Sequence, residues 1–226
     1  MPPLRAVTFD MDGLMFNSED VYTDVGDAIL GRRGRRFEKD LKDAMMGLPP
    51  RPSFEVMIAW HGLSDTPESL IDESHALFVE LMDGKLQPMP GLTDLLDALE
   101  RHGIPKNIAT SSSHVVVDAI LPQFTMKDRF DHILASEDIL HGKPHPEIYL
   151  KSAERLGVEP GEMLVLEDSH NGCLAGAAAG AFVVAIPSEH SLDHDFSMAR
   201  FVSTSLEDER IYRALGIPNK NGNREE

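Results

Sequence analysis

Two acids spaced two apart close a short apolar run near the start of the chain, in Val7-Thr8-Phe9-Asp10-Met11-Asp12-Gly13. Alternate residues of a strand point the same way, so Asp10 and Asp12 share a face if the strand continues through them. Carboxylates forced together repel, and one is driven to keep its proton unless a cation sits between them. The pair reads as a Mg²⁺ site with one acid as nucleophile and the other as proton carrier, and it equally fits a strand ending in an acidic turn. Three further groups follow apolar runs or lie in neighbouring loops: Thr110-Ser111-Ser112-Ser113, Lys143 within His141-Gly142-Lys143-Pro144-His145-Pro146, and Glu167-Asp168.

Each group has a task if the ligand is a phosphate monoester. Asp10 attacks phosphorus and forms an aspartyl-phosphate. An anion attacking a dianion needs its charge screened. Mg²⁺ does this, held by Asp10, the backbone carbonyl of Asp12 and the Asp168 carboxylate, with Glu167 reaching it through water. Lys143 brings a point cation to the transferring group and keeps Asp10 ionised. The Thr110 hydroxyl and the amides of the following helix N-terminus, with Ser111 beside them, donate to phosphate oxygens. Asp12 protonates the leaving oxygen and then deprotonates the attacking water.

These residues are far apart in sequence, so the fold must bring them together. A near-continuous apolar run predicts a strand over 4–10, and further strands are read over 106–110, which is short and less apolar, and over 133–136, 163–166 and 182–186. Between the later strands lie amphipathic or small-residue helices over about 92–102, 114–121, 147–156 and 171–179. Such alternation predicts an α/β fold, a doubly wound, Rossmann-like parallel sheet with right-handed crossovers. All its strand carboxyl ends share one edge, where the four groups can converge. Residues 17–87 differ in texture. Apolar residues recur there at helical spacing (Phe54, Met57, Ile58; Leu77, Phe78, Leu81) without a strand. The expected organisation is a catalytic core of 1–16 and 88–218, a small α-helical cap of 17–87 and a flexible polar tail of 219–226. Asn17-Ser18-Glu19-Asp20 is placed to cap the first cap helix. The breaker-rich turn Met46-Gly47-Leu48-Pro49-Pro50-Arg51-Pro52 is either a loop over the site or a plain helix connection.

With 226 residues, 42% of them hydrophobic, the chain suits one large domain or a core with a smaller insert. A formal charge of −17 argues against a nucleic-acid surface, and the run Gly31–Arg36 reads as a solvated basic loop. The single cysteine, Cys173, excludes an internal disulfide and suits a reducing cytoplasm. Neither a leader-like start nor an apolar stretch of membrane-spanning length is visible. The expectation is a cytoplasmic protein, monomer or homodimer, with a small phosphorylated metabolite as its partner and neither nucleic acid nor membrane.

Phe9-Asp10-Met11-Asp12-Gly13-Leu14, Ile108–Ser113, Gly142-Lys143-Pro144-His145-Pro146 and Glu167-Asp168-Ser169-His170-Asn171-Gly172 occur in the order of the four motifs of the haloacid dehalogenase-like hydrolase superfamily, which the chain resembles over about residues 4–206. Within it the resemblance is to phosphatases and β-phosphoglucomutase-like proteins with a helical cap after the first motif. It implies Asp10 as nucleophile, Asp12 as acid/base, Thr110 and Lys143 as phosphate grip and Asp168 as metal ligand. The second acid, Asp12, favours phosphoryl transfer over halide displacement. The loop 47–51 resembles the mutase cap loop, which implies Arg51 as ligand to a second phosphate or another anionic part of the substrate. Tyr22 stands where the mutase has a histidine, which favours the phosphatase. Asn17 replaces a common aspartate and is expected to affect cap hinging. His114 lines the pocket or lies at the surface. Three functions remain open at this point: a Mg²⁺-dependent phosphatase acting on a sugar phosphate, a phosphomutase, and a non-catalytic binding relative.

Overall fold

A computed structural model describes residues 3–46 and 48–218. The tail expected at 219–226 and Gly47 of the breaker-rich turn lie outside the described residues. The centre of the molecule is a strand, Ala6–Phe9 (β1), buried on both faces as a central strand of a parallel sheet must be. The chain then runs through four helices, Ser18–Gly31 (α1), Lys39–Met45 (α2), Pro50–His61 (α3) and Pro67–Leu81 (α4). It continues through Leu92–Arg101 (α5), Lys106–Ala109 (β2), His114–Ile120 (α6), His132–Leu134 (β3) and Glu147–Leu156 (α7). Met163–Glu167 (β4), His170–Ala178 (α8), Phe182–Ala185 (β5), Phe201–Val202 (β6) and Glu209–Leu215 (α9) complete it.

The six strands form one parallel sheet in the order β3-β2-β1-β4-β5-β6. The doubly wound reading is therefore correct, and β1 is where the order reverses, the switch point at which such sheets bind ligands. Side-chain alternation splits the sheet between two cores. Phe9, Ile108, Leu164 and Leu166 face one layer with α5, α6 and α9, whereas Met163, Val165, Val183 and Ala185 face the other with α7 and α8. Leu95, Leu96 and Leu99 are wholly buried on the apolar stripe of α5, and truncating any one to alanine costs about 2–5 kcal/mol. The helix α8 must be small because a Cβ on Gly176 would lie 2.8 Å from Val183 Cγ2.

Two elements went unread in the sequence, β6 and α9, since two residues carry no periodicity and α9 lacks a long apolar stripe. The third strand begins at His132 and stops at Leu134, after which residues 136–138 turn as a 3₁₀ helix. Among the described residues of 18–81 there are four helices and no strand, as periodicity predicted. Thr66 and Ser69 form a reciprocal cap at the start of α4. The basic run is less free than expected: Arg33 binds Asp65 and Glu73, each at 2.7 Å, and Arg32 binds Glu73. Asn17 does not cap α1 through its side chain. Its amide nitrogen instead donates to the Lys85 carbonyl at 3.2 Å, while its side-chain oxygen accepts from the Gln87 amide at 2.6 Å. The two segments linking α1–α4 to the sheet are thus tied side by side.

Candidate active site

The site is built where β1, β2 and β4 end. Asp10 follows β1, and its amide donates to the Leu166 carbonyl at 3.0 Å, fixing its backbone against β4. Lys143 arrives on the loop before α7 and is 3% exposed. Its Nζ donates to Asp10 Oδ1 at 2.5 Å, Glu167 Oε1 at 2.6 Å and the Ala109 carbonyl at 3.0 Å. Burial opposes the ammonium charge, but Asp10 and Glu167 outweigh it and raise the Lys143 pKa above the usual lysine range. Glu147 braces this loop by accepting from the Leu140 and His141 amides. With Lys151 as the largest cause, these bonds hold the Glu147 carboxyl down at about 2.

Asp12 does not share Asp10's surroundings. Its Oδ1 accepts from Ser18 Oγ at 2.7 Å, and its Oδ2 accepts from Thr110 Oγ1 at 3.0 Å and Ser112 Oγ at 2.7 Å. The turn after it needs Gly13, whose φ is +75° and whose added Cβ would lie 2.2 Å from Asp168 Oδ2. Thr110, expected as phosphate grip, here orients Asp12 and accepts from the Ser112 amide.

Asp10, Glu167 and Asp168 bring carboxylate oxygens within 4.8 Å of one another. Glu167 is the most engaged of them. It accepts from Lys143 and Tyr149 at Oε1 and from the Asp168 amide, Ser169 amide and Ser169 Oγ at Oε2. Its oxygens hold Lys143 and the following turn, and they lie beside those of Asp10 and Asp168. Asp168 is the reverse: its Oδ2 is buried with no hydrogen-bond partner. Burial, with Asp10 and Glu167 adding repulsion, pushes Asp168 well above the ordinary carboxylate range. Asp10 is raised likewise by burial, with Lys143 pulling it back. If all were ionised, the three carboxylates would outnumber the one ammonium by two charges, which is why burial drives Asp10 and Asp168 to keep their protons. A divalent cation cancels that excess and satisfies the orphaned oxygen, so the donor set fits a hard metal ion.

A cleft opens from these groups toward α1–α4. Ser111, Ser112, Ser113, Glu19, Tyr22, Lys42 and His75 line it beside Asp10, Asp12, Lys143 and Asp168. Tyr22 Oη lies 2.8 Å from Ser112 Oγ, and His75 Nε2 lies 2.8 Å from Ser113 Oγ. Burial, reinforced by Asp12 and opposed by Lys42, pushes Glu19 up to about 7. Sequence reasoning missed Glu19 as a site residue, although Glu19, Tyr22 and Gly26 follow the spacing of one helix face. Lys42 and His75 carry no local signal. Two expected residues lie elsewhere. Arg51 binds Glu55 and Glu68 with its side chain 60% exposed and does not line the cleft. His114 pairs with Asp138 at 2.9 Å, also outside it.

Comparison with known proteins gives the family and the fold. A family model described as haloacid dehalogenase-like hydrolase matches residues 4–180. A Drosophila melanogaster protein named "Probable pseudouridine-5'-phosphatase" is 34% identical over 214 residues, covering 91% of this chain and 92% of that protein. The Arabidopsis thaliana bifunctional riboflavin kinase/FMN phosphatase is 31% identical over 213 residues, covering 94% of this chain. The chain spans only 56% of the Arabidopsis protein's length. Among solved structures, a HAD hydrolase of Entamoeba histolytica superposes with a TM-score of 0.83 at 23% identity, covering 94% of this chain and 98% of that one.

Proposed function

Because the chain belongs to the haloacid dehalogenase-like hydrolases, we propose that it is a Mg²⁺-dependent phosphatase that hydrolyses a small phosphorylated metabolite, a sugar phosphate, to the sugar and inorganic phosphate through a phospho-Asp10 intermediate. The observation that carries this reading is Asp168 Oδ2, buried without a partner beside an Asp10 that a buried lysine holds in place. Asp10, Asp168 and the Asp12 carbonyl would hold Mg²⁺, which screens the charge between carboxylate and phosphate when bound.

The chain's own groups supply the remaining chemistry. An Asp10 oxygen attacks phosphorus, the new P–O bond forms, and the bond to the substrate's oxygen breaks. Asp12, fixed by Ser18, Thr110 and Ser112, delivers the proton that the leaving oxygen needs and then takes one from the water that cleaves the aspartyl-phosphate. Lys143 neutralises charge on the transferring group, and the Ser111–Ser113 segment presents donors to its oxygens. Residues 17–87 act as the cap that excludes bulk water, hinged where Asn17 ties the linkers.

Hydrolysis is favoured over return of the phosphoryl group to a bound sugar. A mutase must hold a second phosphate in the cap, and Arg51, the residue expected to do so, is spent on Glu55 and Glu68 outside the cleft. The phosphatase names of the Drosophila and Arabidopsis relatives support the same reading. Phosphorus NMR of a sugar-phosphate panel with Mg²⁺ and a trace of sugar bisphosphate tests it. Free phosphate is the expected product; an isomeric sugar phosphate with little free phosphate would overturn hydrolysis in favour of the mutase.

A further inference from the structure

The cleft changes character with distance from Asp12, and α1 measures that change. Its N-terminal end is at the chemistry, where Ser18 binds Asp12 and Tyr22 reaches Ser112. The residues that α1 turns into the cleft are, in order, Glu19, Tyr22, Val25, Gly26 and Ile29. They run from charged through amphipathic to purely apolar over ten residues, about 15 Å of helix at 1.5 Å per residue. Phe37, Met45, Phe54 and Met57 line the same cleft. The Phe37 ring lies so close to α1 that a Cβ on Gly26 would come within 2.3 Å of it. Glycine at that position lets an aromatic ring form part of the wall.

The charges follow the same gradient. Among the described lining residues the lysines are Lys143 and Lys42. Lys143 is bound to Asp10 and Glu167, and Lys42 to Thr23 at 2.5 Å and His190 at 3.0 Å. Neither stands at the apolar end to receive a second phosphate. A polyhydroxylated body placed against Ile29, Phe37, Phe54 and Met57 would lose water without gaining partners from those side chains. A flat ring gains aromatic and thioether contacts. The cleft encloses about 160 Å³, comparable to the apolar cavity of about 150 Å³ that holds one benzene ring.

We propose that, among sugar phosphates, the cleft selects those with a single phosphate in which the sugar continues into a flat, largely apolar ring. The sugar lies beside Glu19 and Tyr22, and the ring lies among Ile29, Phe37, Phe54 and Met57. This inference rests on the phosphatase reading for its chemistry and on the cleft's wall for its selectivity, and the two can fail separately.

The test compares ribose 5-phosphate with uridine 5'-monophosphate and the 5-phosphate of 1-phenylribose. All three share a leaving group and differ in the ring at the far end. With the Mg²⁺-loaded wild-type protein, kcat/KM should rise at least tenfold from the ringless compound to the phenyl compound, with uridine between them. Phe37→Asp should reduce that advantage to within about threefold. Calorimetric binding of the same compounds to Asp10→Asn reads the preference without turnover. Tenfold tighter binding of the phenyl compound with no phosphate released by the wild-type protein would support the cleft's selectivity and overturn the phosphatase reading. Equal or better use of ribose 5-phosphate, with phosphate released, would overturn the inference and leave the phosphatase standing.

Discussion

Replacing Lys143 with methionine tests the site most directly, because one ammonium holds two buried carboxylates. Its side chain is 2% exposed, against 8% for Asp10 and 0% for Glu167. Methionine keeps much of the volume and removes the charge. It leaves Asp10 and Glu167 uncompensated and takes a donor from the Ala109 carbonyl. Breaking a buried pair by removing one partner costs about 3–5 kcal/mol, and the lost carbonyl bond adds about 1 kcal/mol. Part of this is recovered as Asp10, already pushed up by burial, takes a proton. The expected net loss is about 3–4 kcal/mol. At a urea slope of about 2 kcal/mol/M this lowers the midpoint by about 1.5–2 M, read by far-ultraviolet circular dichroism. Turnover of para-nitrophenyl phosphate with saturating Mg²⁺ should fall about 10²–10³-fold. Glu167→Gln added to Lys143→Met should restore about 1–2 kcal/mol, since it removes one stranded charge. A midpoint shift worth less than about 1 kcal/mol, or a double variant no more stable than the single, would refute the view that Lys143 neutralises this group.

Asp10→Asn should abolish turnover, read as phosphate released from para-nitrophenyl phosphate; retained hydrolysis would exclude Asp10 as nucleophile. Chelator treatment should stop turnover and Mg²⁺ restore it, and Mg²⁺ should raise the wild-type melting temperature but leave Asp168→Ala unmoved, as measured by scanning calorimetry. Glu19 gives a pH signature. With its carboxyl at about 7 in the folded chain and near 4.3 when unfolded, the folded state binds more protons across that window. Its contribution to stability therefore falls as pH rises from about 4 to 7. The full shift corresponds to about 3–4 kcal/mol; because Glu19 borders the open cleft, solvent screening reduces this to about 1–2 kcal/mol. Glu19→Gln should thus be more stable than wild type by that amount at pH 8 and equal to it at pH 4, by urea titration at both.

Much of this protein is written locally. Apolar runs of four or five residues specify β1, β4 and β5, because strand burial on both faces demands near-continuous hydrophobicity, whereas β2 buries Lys106 and Asn107 and is less apolar. Their alternation with helices dictates the parallel sheet, and the sheet dictates that Asp10, Thr110, Lys143 and Asp168 meet at one edge. The helical character of residues 18–81 follows from periodicity as well. What tertiary structure decided is how each polar group is used, because a hydrogen bond depends on partners distant in sequence. Thr110 binds Asp12, and Glu167 binds Lys143, Tyr149 and its own turn. Arg51, whose place in a breaker-rich loop suggested the cleft, found Glu68 on a neighbouring helix. Glu19 became a site residue only once α1 was laid against the Asp12 turn, where burial raised its carboxyl. Sequence thus determined which residues gather at the end of the sheet, and only the packed structure determined which of them remain free for chemistry.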